Sequence, residues 1–394
     1  MERSLIKQVN RKNMTARLST RHVKPVYFPN FFGEKKKTSL KFETLTGEKG
    51  APVIADVISF DASAPQKTRE TIGKISGDIP KTAVKRGMNE SDYYEYQQLV
   101  RDAQGDADQL EILNLAFKDQ DFVYNAIRGR MEWWSMQLMS RGGFHLSAKN
   151  NNGVVTAEFV GCGMPSDNKR KSSADWSDAA KANGLQDIED TVIAASENGV
   201  TIRYVVMHTA DFSLLKKQKT TFETLKSWVN TTSKMLVTRK LINEYLAEQE
   251  IPVQIVTVSP SVRIEDASHK RRTVNPWERK RICFLEDIKV GDIQHGPIAA
   301  ESSAALQKIA LMIKQGFVLI TKWSELEPFK EWTKAEANAI PVVNDPEAMF
   351  ILKADGGVWP EAEDTEGTDN VPAYFLGEPV EEESNKVEDT LEGE

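Results

Sequence analysis

Gly129 to Leu146 reads GRMEWWSMQLMSRGGFHL, with two tryptophans side by side near the end of a long run of helical periodicity. Successive helical side chains point about 100° apart at ~3.6 residues per turn, so Trp133 and Trp134 cannot both face one narrow apolar stripe. Upstream, Ile112, Ala116, Val123, Ile127, Trp134 and Leu138 recur at helical spacing, with Gln120 and Met131 filling in. Gly129 is the single breaker between Asp106 and Ser140, and Arg141-Gly142-Gly143 supplies the stop, since glycine is favoured just past a helix end. The spacing predicts one helix over 106–140, close to 50 Å long at ~1.5 Å rise per residue. Trp134 belongs to the stripe. Trp133 lies over Gly129, one turn earlier, where a missing side chain leaves room for a ring or for a second backbone. Either Trp133 and Gly129 meet an extended segment of another subunit, or both rings pack on two sides of one thick domain.

On the N-terminal side, Thr38 to Phe60 alternates apolar and polar residues in two short runs parted by the Gly47–Pro52 turn signals, the pattern of a β-hairpin. Asp61 to Gly87 has few large apolar side chains and cannot bury much of itself, so it is expected as a loop, or as an arm that orders on a neighbouring subunit. On the C-terminal side, Phe144 to Gly161 reads as a hairpin with Asn-Asn-Asn-Gly as its turn. The basic loop DNKRKSS follows. GLQDIEDTVIAASENG is then a helix closed by Asn198 and Gly199, feeding the strand VTIRYVVMH and a further helix capped by Thr209 or Asp211. With a helix over Ser233–Gln249 and the alternating IPVQIVTVSPSVRIED, these segments suggest a separate α/β lobe up to about Leu306; the last ordered portion ends in a strand near Lys353.

The net charge of −7 conceals segregation. Fourteen acidic residues against Lys386 give Asp355–Glu394 a charge of −13, leaving +6 on the first 354 residues. Met1–Lys37 holds ten basic residues against Glu2 and Glu34, or +8. Such an acidic tail is expected to be solvated, whereas clustered Lys and Arg suit phosphates or an acidic partner. With 394 residues, 40% hydrophobic, the chain has mass for two or three cores. The N-terminus shows no apolar leader, and no stretch approaches the ~18 apolar residues of a membrane span, so neither secretion by the usual route nor membrane insertion is expected. Cys162 and Cys283 are too few for a disulfide framework and are expected as buried free thiols, a single bridge between them being the alternative.

Motifs that carry chemistry are missing. The sequence has no phosphate-cradling Gly-x-x-x-x-Gly-Lys-Ser/Thr, no His-Glu-x-x-His and no Gly-x-Ser-x-Gly, and its five histidines lack metal-ligand spacing. No catalytic, cofactor-binding or metal-ligating residue is expected.

The order of the segments resembles a family. The stretch from ADVISFDASAPQKTRETIGKISG to DYYEY, the helix ending GRMEWWSMQLMSRG, then ADWSDA, GVTIRYVVMHTADFSLL and the late NPWERKRICFLEDIKVGDIQHGP look like the major capsid proteins of tailed bacteriophages, nearest the lambda capsid protein E branch of the Hong Kong 97 fold. The resemblance covers about Val26 to Lys353. It implies an α+β subunit with a basic N-terminal arm (1–36), an extended loop or E-loop (37–88), a peripheral domain (89–199) carrying a spine helix (106–140), an axial domain (200–306), a return to the peripheral domain (307–354) and an acidic tail (355–394).

That resemblance implies a non-enzymatic shell protein that self-assembles as hexamers and pentamers around double-stranded DNA. Portal and decoration proteins are implied partners, and a separate scaffolding protein is expected because no long helical scaffolding region precedes the loop. Assembly in the host bacterial cytoplasm and residence in the virion follow, with no membrane partner. Candidate interface residues are Trp133, Gly129, Lys67, Lys74 and Lys81; candidates for facing DNA or a partner are Arg11, Lys12 and Arg17. The sequence, with lysines at 67, 74, 81 and 85, singles out no lysine and asparagine for the crosslink that some members form. A nanocompartment shell of the same fold, enclosing cargo enzymes, is the nearest alternative; a hydrolase with a site built from scattered residues is a more distant one.

Overall fold

A computed structural model describes residues 4–6, 8–20, 26–46, 73–103, 106–146, 158–230, 235–265, 270–303, 310–357 and 359. The basic arm is folded. It forms a helix, α1 (Arg11–Thr20), a single turn, α2 (Phe28–Phe31), and a strand, β1 (Phe32–Lys36). Ile6, Val9, Met14 and Leu18 are all buried, so the arm is part of the body rather than a solvated extension.

Three strands follow: β2 (Lys41–Thr46), β3 (Gly73–Asp78) and β4 (Lys81–Asn89). The partner of β2 is β3, in the register Lys41↔Asp78 to Thr46↔Gly73, and not a strand within 38–60. The Phe42 ring covers Gly77, where a Cβ would come within 2.6 Å of it, which favours this pairing. The Gly47–Pro52 turn and the second run of the expected hairpin lie outside the described residues. The expected projecting loop also ends earlier than position 88, because β4 pairs through all nine residues with Asn338–Lys330 of the body. Backbone pairing needs no apolar side chains, so hydropathy gave no sign of it.

Helix α3 (Glu90–Asp102) starts at Asn89, whose amide donates to Asp92 Oδ2 at 3.0 Å. Then comes α4 (Asp106–Arg141), 36 residues long, or about 54 Å at 1.5 Å per residue. Gly142 ends it in the left-handed region, φ 77°, with its amide bonded to the Leu138 carbonyl. The hairpin β5 (Gly143–Leu146) and β6 (Glu158–Gly161) follows, its turn outside the described residues.

The lobe begins at β7 (Lys169–Lys171) and continues through α5 (Gly184–Glu197), β8 (Tyr204–His208), α6 (Thr209–Lys217), α7 (Lys219–Trp228), α8 (Arg239–Glu248) and β9 (Gln254–Val258). His208, not Thr209 or Asp211, caps α6: its Nδ1 accepts from the Ala210 amide, Thr209 Oγ1 instead donates to Val258, and Asp211 is taken by Arg279 and the Lys280 amide. Helix α8 starts only after Thr238, whose Oγ1 accepts from Leu241, and residues 231–234 lie outside the description. After the ribbon β10 (Val262–Glu265) and β11 (Arg271–Val274) come β12 (Arg281–Leu285), β13 (Gly291–His295), the turn α9 (Ala299–Ser302), β14 (Leu311–Gln315), the long hairpin β15 (Val318–Leu326) and β16 (Phe329–Val343), and β17 (Phe350–Lys353).

Two sheets organise these elements. One has the order β1-β13-β16-β15-β14 with β4 also on β16; the other runs β7-β17-β12-β8-β9. The second is a shared wall: Ile282 and Phe284 of β12 enter the lobe core, whereas Cys283 and Leu285 enter the core around α4. The lobe is therefore not residues 200–306. It takes β7, α5 and β17 from outside that range and loses β13 to the other sheet, because strands distant in sequence complete its wall. Both cysteines are free and buried, and burial pushes the Cys283 thiol far up. No helix among the described residues is long and apolar enough to cross a membrane.

Candidate functional site: the spine helix and the segments strapped to it

From Met131 to Arg141 every residue of α4 is buried, where one apolar stripe was expected. A helix apolar all round is a helix enclosed all round. Trp134 stacks on Phe144, with ring centroids 5.3 Å apart, and Trp133 is 4% exposed within the same core. This corrects the placement of Trp133 as an interface ring over Gly129: its own subunit buries it. A Cβ built on Gly129 meets no atom within 4 Å, so the notch is open and Trp133 does not fill it.

The polar residues of this stretch strap other segments to the helix. Glu132 takes the Tyr27 amide on both oxygens (3.0 and 2.9 Å) and the Phe28 amide on Oε2 (2.8 Å), fixing the arm where it enters α2. Burial raises the Glu132 carboxyl above its ordinary range, opposed by those two amides and by Arg128. Gln137 donates to the Pro276 carbonyl, Ser140 Oγ accepts the Glu278 amide, and Glu278 bridges Arg141 (3.3 Å) and Arg281 (3.2 Å). The NPWERKR segment is thereby clamped to the helix end.

The candidate DNA-facing residues divide. Arg17 is turned inward, paired with Asp121 at 3.0 Å and bonded to Asn114, because its helix packs along α4; it is withdrawn as a DNA contact. Arg11 and Lys12 are exposed. Lys81 pairs with Glu336 at 2.8 Å inside the subunit; burial pushes that carboxyl up, but Lys334 and Lys81 outweigh burial and hold it below its usual range. Lys67 and the side chain of Lys74 lie outside the described residues.

Several straps left little trace in the sequence. Lys322 and Glu331 form a buried pair at 3.0 Å, with the Leu5 amide on Glu331 Oε1, so the arm covers a charged pair in the β15–β16 hairpin. In ADWSDA, Trp176 is pinned by Asp187 at 2.8 Å. The readable signal was a carboxylate, Glu132, set among residues apolar at every helical angle. All these carboxylates are committed to amides or cations, an arrangement that holds segments rather than transfers protons. Among the described residues no group of three or more His, Cys, Asp or Glu could hold a metal. A cavity of about 320 Å³ between α1 and β14, lined by Arg11, Glu301 and Lys314 among apolar residues, brings no nucleophile together with a base.

A long helix crossed by a strapped arm, beside a sheet that carries the base of a two-stranded ribbon, is the architecture of the Hong Kong 97 capsid fold. The solved structure of a prophage capsid protein from Escherichia coli CFT073 is similar with a TM-score of 0.53 and 13% identity, covering 88% of this chain and 99% of that one. A phage-related protein of Bordetella bronchiseptica RB50 is similar at 0.48 and 12% identity, over 87% and 96% of the two chains. An encapsulin from Synechococcus elongatus PCC 7942 is similar at 0.41 and 7% identity, over 88% and 98%. No curated protein matches the sequence. Residues 11–354 match the family described as phage major capsid protein E, and the chain belongs to that family. It is a shell subunit of a tailed bacteriophage, built into the capsid of the virion.

Proposed function

We propose that this chain forms hexamers and pentamers that close into an icosahedral shell around double-stranded DNA, with β2, β3 and residues 47–72 as an extended loop laid over the next subunit. The carrying observation is that β2 and β3, among the described residues, pair only with each other, while β4 ties the base of the loop to the body. An isolated two-stranded ribbon is marginal in water, so a neighbour's surface is the natural source of its stability. The α4 core corresponds to a peripheral domain and the lobe to an axial domain. Gly129 remains an interface candidate, as an open notch for a neighbour's backbone. Arg11 and Lys12 remain candidates for facing DNA or a partner. The subunit acts without a chemical step, is assembled in the bacterial cytoplasm, and works with scaffolding, portal and decoration proteins.

Hydrogen exchange tests the loop. The amides of Lys41–Thr46 and Gly73–Asp78 are expected to exchange freely in isolated subunits and slowly in particles, while Lys81–Asn89 stays protected in both. Equal protection of the ribbon in both states would refute an intersubunit role.

A further inference from the structure

Past β17 the chain reverses. Gly356, at φ 71°, makes the turn against Ala174 and Asp175, and its amide donates to Ser172 Oγ at 3.1 Å. The reversal lays Trp359 back along β7. Its Nε1 donates to the Arg170 carbonyl at 2.7 Å, and its ring receives the Arg281 guanidinium at 4.1 Å and the Lys169 ammonium at 5.9 Å from the centroid. Strand β7 is the edge of the five-stranded sheet and consists of three successive cations, Lys169, Arg170 and Lys171. The nearest carboxylates along the turn are engaged: Asp355 lies on Lys353 at 3.6 Å and Asp175 on Lys280 at 2.8 Å.

Beyond Trp359 the sequence becomes strongly acidic. Residues 360–394 hold thirteen carboxylates against Lys386, a charge of −12, and Glu361, Glu363, Asp364, Glu366 and Asp369 come first, with no cation among them. We propose that residues 361–369 of this chain lie over its own β7 strip, with Trp359 as the pivot. At most ~3.6 Å per residue, Glu361 starts within roughly 7 Å of Trp359, and the short tether holds the carboxylates at an effective concentration in about the millimolar range. Each contact is exposed and individually weak, so the docking is collective and sensitive to salt. Its consequence is that three adjacent cations at a sheet edge are withheld from other polyanions until ionic strength or a stronger competitor lifts the tail.

Zero-length carbodiimide coupling, which joins an amine to a carboxylate in contact with it, tests the assignment on the full-length chain. Lys169 and Lys171 are expected to link to residues 361–369 several-fold more than does Lys240, whose side chain is 85% exposed on α8, beside β9 at the other edge of the sheet. Those links should fall several-fold between about 0.01 and 1 M salt, as the Debye length shrinks from ~30 to ~3 Å. Mixing isotopically heavy and light chains should give links within one chain. Trp359→Ala should reduce the links by removing the pivot. Tail links spread evenly over exposed lysines, links insensitive to salt, or links predominantly between heavy and light chains would overturn the proposal.

Discussion

Trp133 and Trp134 sit in a turn of helix with no solvent-facing side, and this sets what their removal does. Each is buried, at 4% and 3% exposure, so Trp133→Ala and Trp134→Ala should each lower subunit stability by roughly 3–5 kcal/mol, as large core truncations do. Chemical unfolding of the two variants measures this, and a Trp133→Ala subunit with unchanged stability would restore the ring to the interface. Gly129 behaves in the opposite sense. A methyl group there meets nothing, and alanine in a helix interior is favoured over glycine by about 0.5–1 kcal/mol, so Gly129→Ala should stabilise the free subunit by that amount. Light scattering then reads the second half of the expectation: if a neighbour's backbone uses the notch, the same variant assembles more slowly despite its greater stability. The sequence announced the large rings but not their surroundings, because a stripe drawn through Ile127 and Trp134 ignores Met136 and Met139 on other faces of the same turns.

At the scale of the elements, α4 was legible to within a residue at its C-terminal end, since periodicity, absent breakers and a glycine stop all act locally. The hairpins and the lobe were legible only in part. The strand after Gly142 and its partner ending at Gly161 are where alternation put them. By contrast β4 carries few apolar residues yet lies in a sheet, and β12, apolar on both faces, shows no alternation because it separates two cores. The fate of the arm was hidden as well: its charge pointed outward, while Met14 and Leu18 at helical spacing bind it to α4. Glu132 is the residue through which this attachment can be tested. Its folded-state carboxyl is raised above the ordinary 4.5, so the folded subunit holds that proton more tightly than the unfolded chain does. Its contribution to stability is therefore full below about pH 4.5 and is lost as pH rises through the raised value. Glu132→Gln should flatten that part of the stability profile. Glu132→Ala, which strips the acceptor from the Tyr27 and Phe28 amides, should lower stability by roughly 1–3 kcal/mol and loosen the arm. Denaturant titrations across pH decide the matter, and a Glu132→Gln profile parallel to that of the unsubstituted chain would contradict it.

For the whole molecule, what the sequence conveyed best was order: an arm, a ribbon, a strut, a lobe and a return, each recognisable by its period or composition. What it could not convey was which distant strands complete which sheet, the step that fixes the lobe and the base of the loop. Those long-range pairings make the body a single support from which the ribbon departs, and they are why a near-neutral, well-packed subunit can tile a closed surface. Electron cryomicroscopy of particles whose shell contains this chain tests that account most directly. It predicts closed icosahedral shells of pentamers and hexamers, in which β2 and β3 of each subunit lie across the adjacent subunit while β4 remains paired with β16. Shells in which the ribbon contacts only its own subunit, or particles that are small oligomers with no closed shell, would contradict it.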